Sequence, residues 1–505
     1  MRGVPGAAAE RIVSHSLAGT RWMLWLSATA LACGFGTNVV LGRAGPGLLG
    51  FYGFLTLALS LLGTFFVFGG GNVIVNYLPK LAPADKTSFL ASYAGVVAVS
   101  AVALMAVVAM VPAVPDLVFG DSAPSGAVTY LTLLLPIAVL QMLAWSTLQA
   151  DLALRTFAVS QALVSSLTFA ALVVAGAAGW LSEAAPRRYI VATVLLGNVA
   201  SVAVAGVRLW RRQLRAWGPA RRWLLPEGFW GFSLYFQGGV MVSFLVRSVD
   251  QVYVLRELGL VSLGYYRSAL VLSQLAGFLL VVTDKGFYST FCNVEPADHP
   301  QLHRRFVRLN SLGTALAGLV LMLFAGELLR PFGESATSES KTLVMLIAGA
   351  VLLALPIASV NNSLVTARER MRPIFVNNAA GAVVAVVLYA LLGRRFGLVG
   401  VGWAFLALQL VMLLLSSITV RRVAGVAFPL GAWAISVASV VIGAGAGSVL
   451  DGSTLVEVGA RCGVLLAFVP LALLVRLVTP AELKDLVALV VPGRWSPLRT
   501  RSAAS

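Results

Sequence analysis

Apolar residues along this chain come in unbroken runs of about 20, the length a helix needs to cross the hydrocarbon core of a bilayer. Scanning for such runs yields about fourteen. The first six are Trp22–Leu41, Leu48–Tyr77, Ser88–Val111, Val128–Leu148, Phe157–Trp180 and Tyr189–Leu209. After a basic stretch come Phe229–Val254, Leu260–Val282, Leu309–Leu329, Leu343–Val365, Ile374–Leu392 and Leu398–Val420. Two more, Phe428–Leu450 and Val456–Val475, complete the pattern. It predicts an all-α polytopic membrane protein with two pseudo-symmetric six-helix lobes. The N-terminal lobe covers 1–209, a basic linker 210–227, the second lobe 228–422, and two further helices with a tail 423–505.

Composition agrees. The 505 residues are 59% hydrophobic and 11% charged, and the mean hydropathy of +0.90 lies far outside the soluble range. A net charge of +17 would suit nucleic acid, but the basic residues stand in short clusters between apolar runs, as loops facing anionic headgroups do. Nucleic acid is therefore excluded as a partner. Cys33, Cys292 and Cys462 form no disulfide framework or metal spacing and read as small apolar fillers. The N-terminal "MRGVPGAAAERIVSHSLAGTR" is basic and precedes a run too long for a signal-peptide core, so it is expected to stay uncleaved in the cytoplasm.

An even number of spans puts both termini on one side, and the charges say which. Roughly 26 Lys and Arg fall on one set of alternate loops and about 8 on the other, which orients both termini to the cytoplasm of a cell-membrane protein. Arg394 and Arg395 in "GRRFG" are the exception and fall outside. The longest loop is expected around Asp284–Arg305. Outer loops of about a dozen residues or fewer leave no room for the catalytic acids of a membrane glycan polymerase or ligase. There is no P-loop, no HExxH, and no Ser/His/Asp set among three His. No catalytic residue, metal or cofactor is expected, and the chain is read as moving its substrate rather than as an enzyme.

An internal repeat is legible. "RAGPGLLGFY" (Arg43–Tyr52) aligns without a gap onto "ELGLVSLGYY" (Glu257–Tyr266). Gly45 matches Gly259, Gly50 matches Gly264 and Tyr52 matches Tyr266, at an offset of about 214 residues. Both copies fall at the turn between the first two helices of a lobe, so the repeat is parallel, related by an axis along the membrane normal. Substrate is expected between the lobes.

These turns, the acidic Asp250 before the second copy, the later "RFGLVGVGWA" and the 6+6+2 division together resemble the bacterial polysaccharide flippases. That O-antigen-type family belongs to the multidrug/oligosaccharidyl-lipid/polysaccharide exporter superfamily. The resemblance covers Trp22 to about Val420. It implies alternating access between two lobes and a cation-lined cavity. It also implies a polyprenyl-pyrophosphate-linked oligosaccharide as cargo, with membrane lipids and other polysaccharide-assembly membrane proteins as partners. The first copy departs from the family turn, with "RAGP" for RxLGP and no acid before it. A lipid II flippase and a multidrug and toxin extruder are the rivals; the first lobe is poor in buried Arg, which counts against the former, and the extruder would carry acidic cavity residues.

The charged residues inside the apolar runs are the candidate site. About Gly259, Asp250 lies about 13 Å and Arg267 about 12 Å from the turn, so antiparallel helices bring them to one level where they can pair. Arg247 shares the helical face of Asp250, and Gln251 lies beside it. One positive charge is in excess, and a guanidinium fork suits a pyrophosphate. A structural ion pair, or snorkelling beside Tyr265 and Tyr266, are the alternatives. Amides in apolar runs could meet sugar hydroxyls: Asn38, Asn72, Asn76 and Gln141 in the first lobe, and Gln237, Asn361, Asn362, Asn377 and Asn378 in the second. Helix-to-helix bonding is their other role, worth about 0.6 kcal/mol each.

Overall fold

A backbone in hydrocarbon has no water to bond, so its N–H and C=O groups must pair within the segment; for these runs the solution is helix. The computed structural model describes residues 6–66, 71–110, 124, 126–151, 153–182, 185–293, 296–335, 337–368, 370–450, 454–474 and 480. Among them the chain is all-helical, without a strand. In order come α1 (Gly6–Ala44), α2 (Pro46–Phe66), α3 (Gly71–Tyr77), α4 (Pro83–Met110), α5 (Ala127–Ala150), α6 (Leu154–Ala177), α7 (Pro186–Leu209) and α8 (Phe229–Tyr253). Then follow α9 (Gly259–Asn293), α10 (His299–Leu323), α11 (Ser338–Ala367), α12 (Met371–Leu388), α13 (Arg394–Ala424), α14 (Leu430–Val449) and α15 (Leu455–Leu474).

Eleven stretches of the described residues are helical, long and apolar enough to cross a membrane. Two of these, Gln237–Gly277 and Arg372–Ala424, each run through a glycine of positive φ, Gly259 and Gly397. The protein is a multi-pass membrane protein.

Some expected boundaries move. The run Leu309–Leu329 belongs to α10, which begins at His299 and ends at Leu323. The loop expected over Asp284–Arg305 is mostly helix, because α9 continues to Asn293. Its histidines find partners inside the protein: His299 Nε2 lies 3.1 Å from the Phe291 carbonyl oxygen, and His303 Nε2 lies 2.7 Å from Asn361 Oδ1. Internal pairing lets a polar stretch bury as helix. Cys33 is partly buried and Cys462 exposed, and the side chain of Cys292 lies outside the described residues.

The chain divides into two compact units, Met1–Ser268 with Arg330–Ser340, and Ala269–Leu329 with Lys341–Ser505. In the first unit α1 packs along α6, and α6 along α7. Glycine lets these backbones approach: a Cβ on Gly36 would strike the Phe169 ring, and one on Gly197 the Val164 carbonyl. The 3-10 helix Arg330–Ser335 docks on the end of α1. Arg43 Nε donates to the Pro331 carbonyl at 2.9 Å, and Phe332 meets Phe35 edge-on at 5.6 Å.

The two repeat turns also meet in this unit. Gly45 (φ 138) joins α1 to α2, and Gly259 (φ 87) ends the π turn Val254–Leu258 that follows α8. Both conformations favour glycine. One turn further on, Gly50 lies against the Leu260 carbonyl and Gly264 against the Pro46 carbonyl.

In the second unit α10 packs along α14. A Cβ at Gly318 would strike Leu352, and one at Gly447 the Met322 carbonyl. Phe287 and Phe306 stack at 4.1 Å within its core.

Candidate functional site

α8 presents Arg247, Asp250 and Gln251 at i, i+3 and i+4, and the three separate by environment. Asp250 is buried at 2% exposure, Gln251 is half-buried and Arg247 is exposed. Facing them on α9 are Tyr266 and Arg267. Adjacent residues on a helix point about 100° apart, so only one of this pair can face Asp250. It is Tyr266, whose hydroxyl donates to Asp250 Oδ2 at 2.5 Å. The other carboxylate oxygen, Oδ1, is buried without a hydrogen-bond partner among the described residues.

Asp250 and Arg267, which the spacing allowed to pair, therefore make no direct ion-pair contact, although each still lies within the other's electrostatic reach. Arg267 turns away, donating from Nε to Asn38 Oδ1 on α1 and from Nη1 to Gln251 Oε1, both at 3.4 Å. Its guanidinium carbon lies 5.9 Å from the centre of the Tyr52 ring, a cation–π geometry. The arginine stem packs against Gly53, where a Cβ would stand at an ordinary 3.8 Å from Arg267 Cδ. Five N–H donors are available to a guanidinium; two meet amide oxygens here, and among the described residues no carboxylate pairs with the group.

Of the other sequence candidates, Asn38 joins this cluster, and its Nδ2 also donates to the Gly34 carbonyl at 2.6 Å. Gln141 is buried with Nε2 unpartnered among the described residues. Gln237 is buried and engaged. Asn72 and Asn76 lie on α3, and their side chains fall outside the described residues.

Asn361 and Asn377 serve a different cluster. Asn361 Oδ1 faces His303, while its Nδ2 donates to the Ser416 and Ser417 hydroxyls at 3.2 and 3.4 Å. Asn377 donates to Thr419 at 2.9 Å. These amides bond neighbouring helices of the second unit, the alternative role named for them. Asn362 is exposed and Asn378 half-buried.

The sequence reading did not single out Tyr266 as the partner of Asp250, nor Tyr52 and Gly53 as the bed of Arg267. The repeat held that signal, because Tyr52 and Tyr266 are matched positions. Also missed was Arg461 on α15, 1% exposed, whose Nη1 donates to Glu327 Oε1 at 2.5 Å.

No protein-family profile and no curated protein sequence matches the chain. Solved structures do match in fold. A lipid II flippase, MurJ, in an inward closed conformation superposes with a TM-score of 0.70 at 15% identity, over 89% of this chain and 98% of that one. An inward-facing multidrug resistance MATE transporter of the MOP superfamily gives 0.57 at 15% identity, over 78% and 95%. The Vibrio cholerae MATE transporter VcmN, as an aspartate-to-asparagine mutant, gives 0.56 at 15% identity, over 82% and 98%. The chain thus has the all-helical fold of MOP transporters.

Proposed function

We propose that this protein is a flippase for a polyprenyl-pyrophosphate-linked oligosaccharide, working by alternating access in the cytoplasmic membrane for cell-surface polysaccharide synthesis. The observation that carries the proposal is Arg267: a guanidinium within an apolar span, held by two amide oxygens and a tyrosine ring, without an ion-pair partner among the described residues. A charge at that depth costs at least about 2.5 kcal/mol on insertion scales, so such residues mark a polar path. Its remaining donors suit pyrophosphate oxygens, and the exposed Arg247 adds a second positive charge on α8. Two six-helix lobes, with both termini cytoplasmic, are part of this reading, and the paired Gly45 and Gly259 turns then form its outer end.

A lipid II cargo is the second reading, favoured by the TM-score of 0.70 over 98% of the MurJ chain. One experiment separates the two. Purified protein in liposomes is given either a fluorescent polyprenyl-pyrophosphate oligosaccharide or fluorescent lipid II, and an impermeant quencher reports what crosses. Oligosaccharide crossing that Arg267→Ala abolishes and Arg267→Lys partly restores supports the proposal. Crossing of lipid II alone moves the assignment to the second reading, and crossing of neither rejects both.

A further inference from the structure

The connection between α7 and α8 has no part in the cluster around Arg267, yet it is tied down along its length. It leaves α7 through a π turn, Trp210–Leu214, makes one helical turn, Arg215–Trp217, and is redirected at Gly218 (φ 82). From Arg221 it lies on α4. The Arg221 amide donates to the Ser88 hydroxyl at 3.0 Å and the Leu224 amide to the Ser92 hydroxyl at 2.8 Å. Ser92 in turn donates to the Ser88 carbonyl at 2.8 Å, which leaves its lone pairs to the linker.

The side chains sort by depth along α4. Arg222 pairs with Asp85 at 3.0 Å, and the Lys86 ammonium lies 5.2 Å from the centre of the Trp217 ring. Trp223 reaches the other way, its ring against Gly95, where a Cβ would meet it at 3.0 Å. Ten residues separate Asp85 from Gly95, about 15 Å of helix. Cations thus collect at the Pro83 end of a membrane-spanning helix, with an aromatic ring well below them. Arg211, Arg215 and Arg221 are exposed, and Trp223 is 65% exposed despite resting on α4.

We propose that this linker is a docking surface for an anionic phospholipid of the surrounding bilayer. The exposed guanidinium groups of the linker hold the headgroup phosphate, and the exposed face of Trp223 lies along an acyl chain. Charge alone would suit any phosphate. The ring about 15 Å deeper selects a lipid, because a soluble anion has nothing to place there. A polar tip above an apolar body is also how aromatic residues sit at a membrane interface.

The test is native mass spectrometry of the full-length protein from micelles holding equal phosphatidylglycerol and phosphatidylcholine. Wild type is expected to retain phosphatidylglycerol preferentially. The triple variant Arg211→Gln, Arg215→Gln, Arg221→Gln is expected to lose at least about tenfold of that binding. The corresponding Lys triple, which keeps the charge and guards against misreading a folding defect, should retain most of it. In bilayer discs, phosphatidylglycerol brominated on its acyl chains should quench wild-type fluorescence more than that of Trp223→Leu. Equal retention of the two lipids by wild type, or undiminished binding by the Gln triple, overturns the proposal. Displacement of phosphatidylglycerol by added inorganic pyrophosphate also overturns it, by marking the patch as a pyrophosphate site.

Discussion

Gly50 and Gly264, matched positions of the two repeat copies, face each other backbone to backbone. A Cβ on Gly50 would strike the Leu260 carbonyl and stand 3.2 Å from the Gly264 amide nitrogen, while a Cβ on Gly264 would strike the Pro46 carbonyl. Pro46 and Leu260 are matched positions too. The contact is therefore isologous, each copy offering the same patch to the other, as across a two-fold axis.

No side chain fits between them, so this contact should exist only while both positions are glycine. Gly50→Leu or Gly264→Leu should push the α2 and α9 ends apart. Spin labels at the exposed positions Arg43 and Val261 would read a distance increase of several ångströms by pulsed electron resonance. An unchanged distance would mean that the backbone contact is not what holds the two turns together.

Tyr266 is the hydrogen-bond partner of Asp250, whose other oxygen already has none among the described residues. Tyr266→Phe should cost about 1–3 kcal/mol of stability, the range for stranding a buried polar group. Adding Asp250→Leu should recover part of that loss, a non-additivity that thermal unfolding in detergent would reveal. Strict additivity would show that the two side chains do not act as a unit.

Gly53 tolerates a methyl group, since a Cβ there meets Leu263 at 3.6 Å and Arg267 Cδ at 3.8 Å, both ordinary contacts. Gly53→Ala should leave transport unchanged. Gly53→Leu should lower it as far as Arg267→Ala does, at equal membrane levels, because the longer side chain takes the space of the arginine stem. Normal transport by Gly53→Leu would place the functional guanidinium elsewhere.

The Arg461–Glu327 pair is asymmetric, with side-chain exposures of 2% and 28%. Removing either partner leaves a charge, but Glu327 is partly exposed whereas Arg461 is buried. Glu327→Leu should therefore lower the unfolding temperature more than Arg461→Leu, within the roughly 3–5 kcal/mol that breaking a buried pair costs. The reverse order would mean that Arg461 is satisfied mainly by other groups.

The Asn361 network predicts a loss that is structural and not specific to cargo. Asn361→Ala removes the partner of His303 and of the Ser416 and Ser417 hydroxyls at once. Its unfolding temperature should fall, and transport should drop only in proportion to folded protein. A selective transport defect in fully folded protein would return Asn361 to the cargo path.

Run length and composition by themselves determined an all-helical membrane protein, because hydrocarbon leaves the backbone no other partner. The repeat placed Gly45 with Gly259 and Gly50 with Gly264, for a backbone position that must be glycine in both copies leaves a mark in both. Spacing also put Asp250 and Arg267 at one level about the Gly259 turn. Which side chain faces Asp250 depends on rotation about the helix axes, and one residue of rotation, about 100°, exchanges Arg267 for Tyr266. The reach of Arg267 to Asn38 crosses 229 positions of chain, and the division of amides between the Arg267 cluster and the His303 network depends on which helices become neighbours. Those are properties of packing, and only the tertiary structure decides them.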